Sequence, residues 1–78
     1  MCGIIGFTGN IDAKEVLLQG LKALEYRGYD SAGISFFTDK TIKTVKSVGK
    51  VSGLAQKVEE TSRDDITKCG IGHTRWAT

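Results

Sequence analysis

The second residue of the chain, Cys2, can supply a nucleophile and a base from one position. Once Met1 is removed, the thiol stands beside a free α-amino group that titrates near neutral pH. An N-terminal residue of this kind attacks an amide carbon without a separate histidine, and the chemistry is acyl transfer. The alternative is a small apolar residue buried in a first strand, since free cysteine is among the most buried residue types.

A second stretch of interest covers residues 25–33, where aromatic, charged and glycine residues are interleaved without helical or strand periodicity. Such a mixture is typical of a loop that lines a site. The alternative is structural: Gly28 ends a helix, Arg27 favours the helix dipole and Asp30 begins a turn. The local pattern leaves both interpretations open.

Composition limits the class of protein. The chain has 78 residues, of which 40% are hydrophobic and 26% charged, and this predicts one small globular domain or a piece of a larger one. The net charge of +2 is small and the basic residues are scattered, so we expect no nucleic-acid partner. No apolar run approaches the ~20 residues of a membrane span and no secretory signal is visible, so we expect a cytoplasmic protein that does not bind membranes.

Cysteine and histidine usage predicts neither a disulfide nor a metal site. Cys2 and Cys69 are the two cysteines, and two thiols in a cytosolic chain are generally reduced. We expect Cys69 to be an inert thiol in the core. With one histidine and no C-x-x-C pair, a zinc site has too few ligands, and we expect no metal and no other cofactor.

The first half of the chain predicts a strand followed by an amphipathic helix. Residues 3–8 form a short apolar, β-branched run that indicates a buried strand. Asp12, with Glu15 three residues later, has the form of a capping box and opens a helix over residues 12–26. Gly20 inside this helix predicts a close helix-to-strand contact. The apolar face comprises Val16, Leu17, Leu21 and Leu24, while Lys14, Gln19, Lys22 and Glu25 lie mostly on the other face.

The second half predicts a hairpin, a shorter helix and a final strand, which together with the first half makes an α+β protein. Residues 32–38 and 41–48 are strand-like runs, and the second predicts either a bulge or only approximate one-sided burial. Residues 51–60 predict a helix with Ser52 as its cap. A strand follows over residues 66–73.

Four separated stretches match one group of proteins in order and at natural spacing. They are Cys2-Gly3-Ile4-Ile5-Gly6, Leu24-Glu25-Tyr26-Arg27-Gly28-Tyr29-Asp30-Ser31-Ala32-Gly33-Ile34, Gly49-Lys50-Val51 and Gly70-Ile71-Gly72-His73-Thr74-Arg75-Trp76-Ala77-Thr78. Together they resemble the glutaminase domain of the glutamine–fructose-6-phosphate aminotransferases. Glutamine phosphoribosylpyrophosphate amidotransferases are the alternative, but they typically read His-Arg-Gly-Gln and Arg-Tyr-Ser-Thr in the second and fourth stretches.

The resemblance implies an N-terminal-nucleophile hydrolase fold, in which two antiparallel sheets pack between helical layers (αββα). Residues 1–78 then form only the N-terminal part of a glutamine amidotransferase type 2 domain. The strand that closes on residues 74–78 without a turn or polar tail also favours a truncated domain. The rest of the glutaminase domain and a sugar isomerase domain are expected to lie outside the chain.

The activity implied by the resemblance is hydrolysis of glutamine to glutamate and ammonia, with Cys2 as nucleophile and its own amino group as base. His73 is therefore expected to be structural. The ammonia would serve glucosamine 6-phosphate synthesis from fructose 6-phosphate in the isomerase domain, within a homo-oligomeric enzyme. The alternative function is a non-catalytic truncated module that self-associates through its incomplete sheet, which has exposed strand edges and uncovered apolar faces.

Residue roles follow from the same resemblance. Arg27 orients the site and the backbone of Gly28 lies near the thiol. Arg75 holds the substrate α-carboxylate, a role suited to a planar, bidentate guanidinium. Trp76 and Thr78 line the glutamine pocket. Without the resemblance, Arg75 would be interpreted as a surface arginine, Trp76 as a core tryptophan and Thr78 as a threonine on a strand edge.

Overall fold

Two helices pack on one face of a four-stranded antiparallel sheet, which confirms the predicted α+β class. The computed structural model describes residues 2–25, 30–38, 41–65 and 67–75. The strands are β1 (Gly3–Thr8), β2 (Ser31–Thr38), β3 (Thr41–Val48) and β4 (Cys69–Arg75), and the helices are α1 (Ala13–Ala23) and α2 (Val51–Ser62). Neither helix in this described part of the chain is long and apolar enough to cross a membrane.

The last strand in the sequence lies inside the sheet, because the spatial order is β1-β4-β2-β3. β4 pairs with β1 on one side and with β2 on the other, so Gly72 stands between Ile5 and Ile34. β2 and β3 form the predicted hairpin, and their residues pair one-to-one throughout, so β3 contains no bulge. The other expectation for this strand, approximate burial of one side, is confirmed. The predicted turn, Asp39-Lys40, lies outside the described residues.

The hydrophobic core fills the space between the helices and the covered face of the sheet. Leu17 and Leu21 of α1, Leu54 of α2, and Ile34 and Phe36 of β2 are almost completely buried. Burying one such side chain contributes roughly 1.5–3 kcal/mol, so this cluster holds both helices on the sheet. The full cluster consists of Ala13, Leu17, Leu21, Ala32, Ile34, Phe36, Val45, Val51, Leu54 and Val58.

α1 begins where the sequence predicts it. The Asp12 carboxylate accepts a hydrogen bond from the Lys14 N–H at 3.2 Å and so caps the first turn. The helix ends at Ala23, earlier than the predicted end at residue 26, and Leu24 takes the C-cap position.

Lys14 is buried, so its predicted place on the exposed face of α1 is wrong. Its amino group donates to the Asp65 carbonyl, lies 3.6 Å from the Asp12 carboxylate and 5.8 Å from the centre of the Phe36 ring. A lysine buries its aliphatic stem readily when its charge finds acceptors. Here the connection between α2 and β4 supplies the acceptor, and helical periodicity carries no signal of that distant segment.

The helix–sheet distance is set by glycines on both surfaces, and the close contact predicted at Gly20 is confirmed. A Cβ at Gly20 would overlap Ile5 Cδ1 and stand 3.3 Å from Ile5 Cγ1. On β4, a Cβ at Gly70 would stand 2.9 Å from Leu17 Cδ1. α1 therefore lies directly on the backbone of β4 and against the Ile5 side chain of β1.

α2 begins at Val51, so Ser52 lies inside the helix and its predicted role as the cap is wrong. Lys50 occupies the N-cap position, and its side chain makes no capping hydrogen bond. β4 begins at Cys69, later than the predicted start at residue 66.

The other face of the sheet, called here the open face, carries exposed apolar side chains. Side chains alternate along a strand, and directly paired residues lie on the same side. Ile4 on this face is 80% exposed, so β1 is only half-buried and not the buried strand expected. Cys69 is also exposed there, and the expectation of a core thiol is wrong. The large apolar residues of the open face are Ile4, Phe37, Ile42, Val48 and Ile71.

Replacement of Gly20 by alanine is expected to destabilise the protein by about 1–2 kcal/mol, because overpacking against Ile5 outweighs the better helix propensity of alanine. Ile5→Val removes the overlapping atom, so the two changes together are expected to cost less than the sum of their separate costs. Chemical denaturation of the single and double variants measures this coupling.

Gly53→Ala in α2 is the matched control. An added Cβ there meets Ser47 Oγ at 3.7 Å, an ordinary contact, so this variant is expected to be neutral or slightly stabilising. Additive effects of Gly20→Ala and Ile5→Val would show that the close approach is not what makes glycine necessary.

Candidate functional site

Two of the predicted site residues, Cys2 and Arg75, lie at the same end of the sheet. Cys2 directly precedes β1, and Arg75 is the last residue of β4. Gly3 pairs with Thr74, so Cys2 and Arg75 each stand one position beyond this pair on neighbouring strands. Neighbouring strands are about 4.8 Å apart, and the register thus brings a thiol and a guanidinium from distant parts of the sequence to one edge.

The remaining predicted site residues lie in two segments, residues 26–29 and 76–78, that the structure does not describe. These residues are Arg27, Gly28, Trp76 and Thr78. Ser31, which opens β2 shortly after the first segment, pairs with Arg75, which directly precedes the second. The described residues that adjoin these segments, Asp30 and Arg75, therefore lie at the end of the sheet where Cys2 lies.

Thr74 of β4 binds the start of β1, at the residue that follows Cys2. The Thr74 side chain is buried, and its Oγ1 accepts a hydrogen bond from the Gly3 N–H at 3.1 Å. A Cβ at Gly3 would stand 2.8 Å from Leu24 Cδ1 and 3.0 Å from Thr74 Oγ1. Glycine at this position lets the residue after Cys2 lie close to both β4 and the end of α1.

Arg75 is held loosely by Asp30. The Arg75 Nη1 lies 3.8 Å from Asp30 Oδ2, and the two side chains are 65% and 38% exposed. The backbone is tied more closely, since the Asp30 N–H donates to the Arg75 carbonyl at 2.9 Å. An exposed ion pair of this kind contributes only about 0–1 kcal/mol, so the guanidinium is available to another carboxylate.

Cys2 and Cys69 are free, exposed thiols at opposite ends of β1. Cys69 pairs with Thr8, whereas Cys2 lies six residues before Thr8, and at ~3.4 Å per residue the two cysteines stand roughly 20 Å apart. A disulfide needs Cα atoms within about 7 Å, so the register keeps these two thiols apart. Cys2 is thus an exposed cysteine without a disulfide partner in the described part of the chain.

His73 lies on the open face of β4 and is turned toward β2. A Cβ at Gly33 would stand 3.1 Å from His73 Nε2, so the imidazole lies over this β2 glycine. Cys2 precedes β1, on the opposite side of β4. His73 is thus turned away from the strand that Cys2 precedes, and its structural role stays a prediction.

Two polar residues of this site end, Thr74 and Asp30, are not singled out by sequence patterns. Asp30 reads in the sequence only as the start of a turn, and Thr74 as one residue of a strand. The sequence indicates them only by position, since Asp30 directly precedes Ser31 and Thr74 directly precedes Arg75 in the matched stretches. Their hydrogen bonds join strands that are far apart in sequence, which local patterns do not encode.

Comparison with known proteins decides among the families considered. Along its full length the chain is 53% identical to the glutamine–fructose-6-phosphate aminotransferase (isomerizing) of Shouchella clausii, 51% to that of Bacillus subtilis and 56% to that of Thermus thermophilus. The chain is related to the glutamine–fructose-6-phosphate aminotransferases. It spans 12–13% of the length of these relatives. No family model matches the chain.

This relationship confirms the resemblance seen in the four matched stretches of the sequence. It also favours the glutamine–fructose-6-phosphate aminotransferases over the phosphoribosylpyrophosphate amidotransferases. The relatives are enzymes by name, and the similarity extends through every segment that carries a predicted site residue.

Thr74→Val is expected to destabilise the protein by about 1–3 kcal/mol, because it leaves the Gly3 N–H without its acceptor. Thr74→Ser keeps the hydroxyl and is expected to lose only about 0.8 kcal/mol for the missing methyl group. Hydrogen exchange at the Gly3 amide separates the two effects, since exchange should accelerate in the valine variant and not in the serine variant. Equal exchange rates would show that another contact fastens β1.

Proposed function

We propose that this chain is the N-terminal part of the glutamine-hydrolysing domain of a glutamine–fructose-6-phosphate aminotransferase. The observation that supports the proposal is the pairing of Gly3 in β1 with Thr74 in β4, since Cys2 precedes the first and Arg75 follows the second. Hydrolysis of an amino-acid amide needs a nucleophile for the amide carbon and a cation for the α-carboxylate. The chain is related over its full length to enzymes of that name.

In the proposed reaction, the Cys2 thiol passes its proton to its own α-amino group, and the sulfur attacks the side-chain amide carbon of glutamine. The carbon–nitrogen bond of the amide then breaks. The leaving nitrogen takes up the proton from the α-amino group of Cys2 and departs as ammonia, and a thioester remains on Cys2. Water attacks the thioester, which releases glutamate and restores the thiol. Each oxyanion-hole donor is worth about 3–4 kcal/mol of barrier, and these donors belong to the part of the enzyme beyond this segment.

Arg75 is the proposed ligand of the substrate α-carboxylate. Its guanidinium is largely exposed and its contact with Asp30, at 3.8 Å, is longer than a charge-assisted hydrogen bond. A bidentate contact between Arg75 and the substrate carboxylate would therefore replace the weak ion pair with Asp30. Arg27 and Gly28 are proposed to lie beside the thiol. Trp76 and Thr78 follow β4 in the sequence and are proposed to line the same pocket.

The open face of the sheet is proposed to pack on a second antiparallel sheet, which completes an αββα N-terminal-nucleophile hydrolase fold. Its five exposed large apolar side chains support this, since monomeric proteins rarely leave extended apolar surface uncovered. The relatives are about eight times as long as this chain, which leaves room for that sheet and for a sugar isomerase domain.

The wider role follows from the same proposal. The ammonia would be used in the isomerase domain to make glucosamine 6-phosphate from fructose 6-phosphate. We propose a cytoplasmic, homo-oligomeric enzyme that needs no metal or organic cofactor for glutamine hydrolysis, because Cys2 supplies both nucleophile and base.

The test uses the full-length protein that contains this segment and a diazoketone analogue of glutamine, which alkylates a nucleophile held at the amide carbon. Mass spectrometry is expected to show loss of Met1 and one equivalent of analogue on Cys2, with protection by glutamine. Cys69 is expected to stay unlabelled, because the second sheet covers the open face. The control variant Cys2→Ala is expected to lose both labelling and glutamine hydrolysis.

Three results would refute this proposal. Equal labelling of Cys69 would show that the analogue selects no particular thiol. An unlabelled Cys2 in protein that has lost Met1 would show that Cys2 is not the nucleophile. An active enzyme that retains Met1 would exclude the α-amino group as the base.

Arg75→Lys is expected to raise the KM for glutamine about 10–100-fold, because an ammonium cannot replace the bidentate contact, which is worth about 1.5–3 kcal/mol. Initial rates of glutamate release over a range of glutamine concentrations measure this. His73→Gln, two residues earlier on the same face of β4, is the control and is expected to stay within about twofold. A KM unchanged in the lysine variant would remove Arg75 from the carboxylate site.

A further inference from the structure

The hydrogen bond between Thr74 and Gly3 acts on the peptide group of the proposed nucleophile. The Gly3 N–H, which Thr74 Oγ1 accepts at 3.1 Å, belongs to the peptide bond that joins Cys2 to Gly3. A peptide group is planar and includes the Cα atoms on both of its sides. The hydrogen bond therefore restrains the Cα of Cys2. Only rotations within Cys2 separate that atom from the thiol and the α-amino group.

The Thr74 hydroxyl is itself fixed by the core. Thr74 is 3% exposed and lies inside the sheet, where it pairs with Gly3 on one side and with Ala32 on the other. Side chains in a close-packed interior sit in well-defined rotamers. Cys2, in contrast, is exposed. The exposed nucleophile is thus held in place by a buried residue of the neighbouring strand.

The register that brings Cys2 to Arg75 is not determined by burial alone. A slip of two residues between β1 and β4 would leave every side chain on its own face, because side chains alternate with a period of two. Such a slip would move Cys2 by about 7 Å relative to Arg75. Apart from Thr74, the helix-side residues of β4 that pair with β1 are Gly70 and Gly72, which have no side chain to distinguish one register from another.

Thr74 distinguishes the observed register from both slipped ones. One slip would place Gly3 opposite Gly72, which has no hydroxyl to accept the N–H. The other would place Ile5 opposite Thr74. A side chain has no room at that position, since a Cβ on Gly3 would already stand 2.8 Å from Leu24 Cδ1 and 3.0 Å from Thr74 Oγ1. The hydroxyl and the glycine opposite it therefore select one register.

We propose that Thr74 is a positioning residue, whose hydroxyl orients the peptide group of Cys2 and sets its place beside Arg75. This inference rests on the proposed function, which assigns Cys2 and Arg75 to the reaction. A displacement of about 1 Å at a reacting centre can cost about 100-fold in rate, so loss of this hydrogen bond should lower kcat. Arg75 keeps its backbone hydrogen bond from Asp30, at 2.9 Å, so substrate binding should change less.

Thr74→Val tests this in the full-length protein, because it removes the hydroxyl and keeps the branched shape. It is expected to lower kcat for glutamine hydrolysis about tenfold or more, with KM changed by less than about threefold. Labelling of Cys2 at saturating diazoketone analogue should slow by the same factor as kcat. Alkylation of Cys2 by iodoacetamide, which needs no substrate site, should change by less than about twofold. Thr74→Ser keeps the acceptor and should retain kcat within about twofold.

Thr67→Val is the matched control. Thr67 is also buried, and its hydroxyl also binds backbone, donating to the Cys69 carbonyl at 3.1 Å and accepting from the Cys69 N–H at 3.4 Å. It lies beyond the end of β4 that is opposite to Thr74. Chemical denaturation is expected to show a loss of stability similar to that of Thr74→Val, while kcat stays within about twofold.

Three results would overturn the proposal. An unchanged kcat in Thr74→Val would show that the hydrogen bond does not position the nucleophile. An equal fall in Thr67→Val, or a serine variant as slow as the valine variant, would show that kcat follows general stability. A loss confined to KM would assign Thr74 to substrate binding.

Two further measurements keep the test decisive. If circular dichroism shows that Thr74→Val does not fold, Thr74→Ala replaces it with the same expected results, because water can reach the Gly3 N–H there but does not fix its position. Failure of the proposed function gives a different result, since the unmodified protein would then neither hydrolyse glutamine nor take up the analogue at Cys2.

Discussion

The insertion of β4 between β1 and β2 is the constraint on which the rest of the structure depends. Among the described strands, β1 pairs with β4 and with no other, while β2 and β3 already form a hairpin. Without β4 the sheet would separate into a single strand and a two-stranded hairpin, which is at best marginally stable in water. The same insertion places Arg75 between the start of β1 and the start of β2. Fold and site therefore depend on one pairing event.

β4 can occupy this position because its two sides are chemically different. Toward the helices it presents Gly70, Gly72 and Thr74, small residues over which the α1 leucines pack. Toward the open face it presents Cys69, Ile71, His73 and Arg75. Close packing on one side needs small residues, since interiors tolerate no overlap. The other side is free to carry larger and more polar groups, including the proposed ligand of the substrate.

Local sequence patterns predicted most of the elements and little of their arrangement. A short apolar, β-branched run located Gly3–Thr8, two strand-like runs located the hairpin, and the cap at Asp12 located the start of α1. The burial of Lys14 and the capping of α2 by Glu25 depend on partners distant in sequence, so no local pattern reveals them. The same holds for the strand order.

The candidate site shows the same division. The resemblance indicated Cys2 and Arg75, and the register explains how they meet. The exposure of Cys69 was not predictable, because alternation in a strand says which residues share a face but not whether that face is covered.

Because β4 is the last of the described strands, its synthesis also determines when β1 can pair. β1 leaves the ribosome first and has no strand partner until β4 follows, roughly 60 residues and, at ~5–20 residues per second, about 3–12 s later. During that interval β1 lacks the one partner that it has among the described strands, and the Gly3 N–H lacks its acceptor on Thr74. In the proposed enzyme, this is an interval in which Met1 can be removed before the Gly3 N–H binds Thr74. The topology thus makes pairing of the N-terminal strand one of the last steps in folding this sheet.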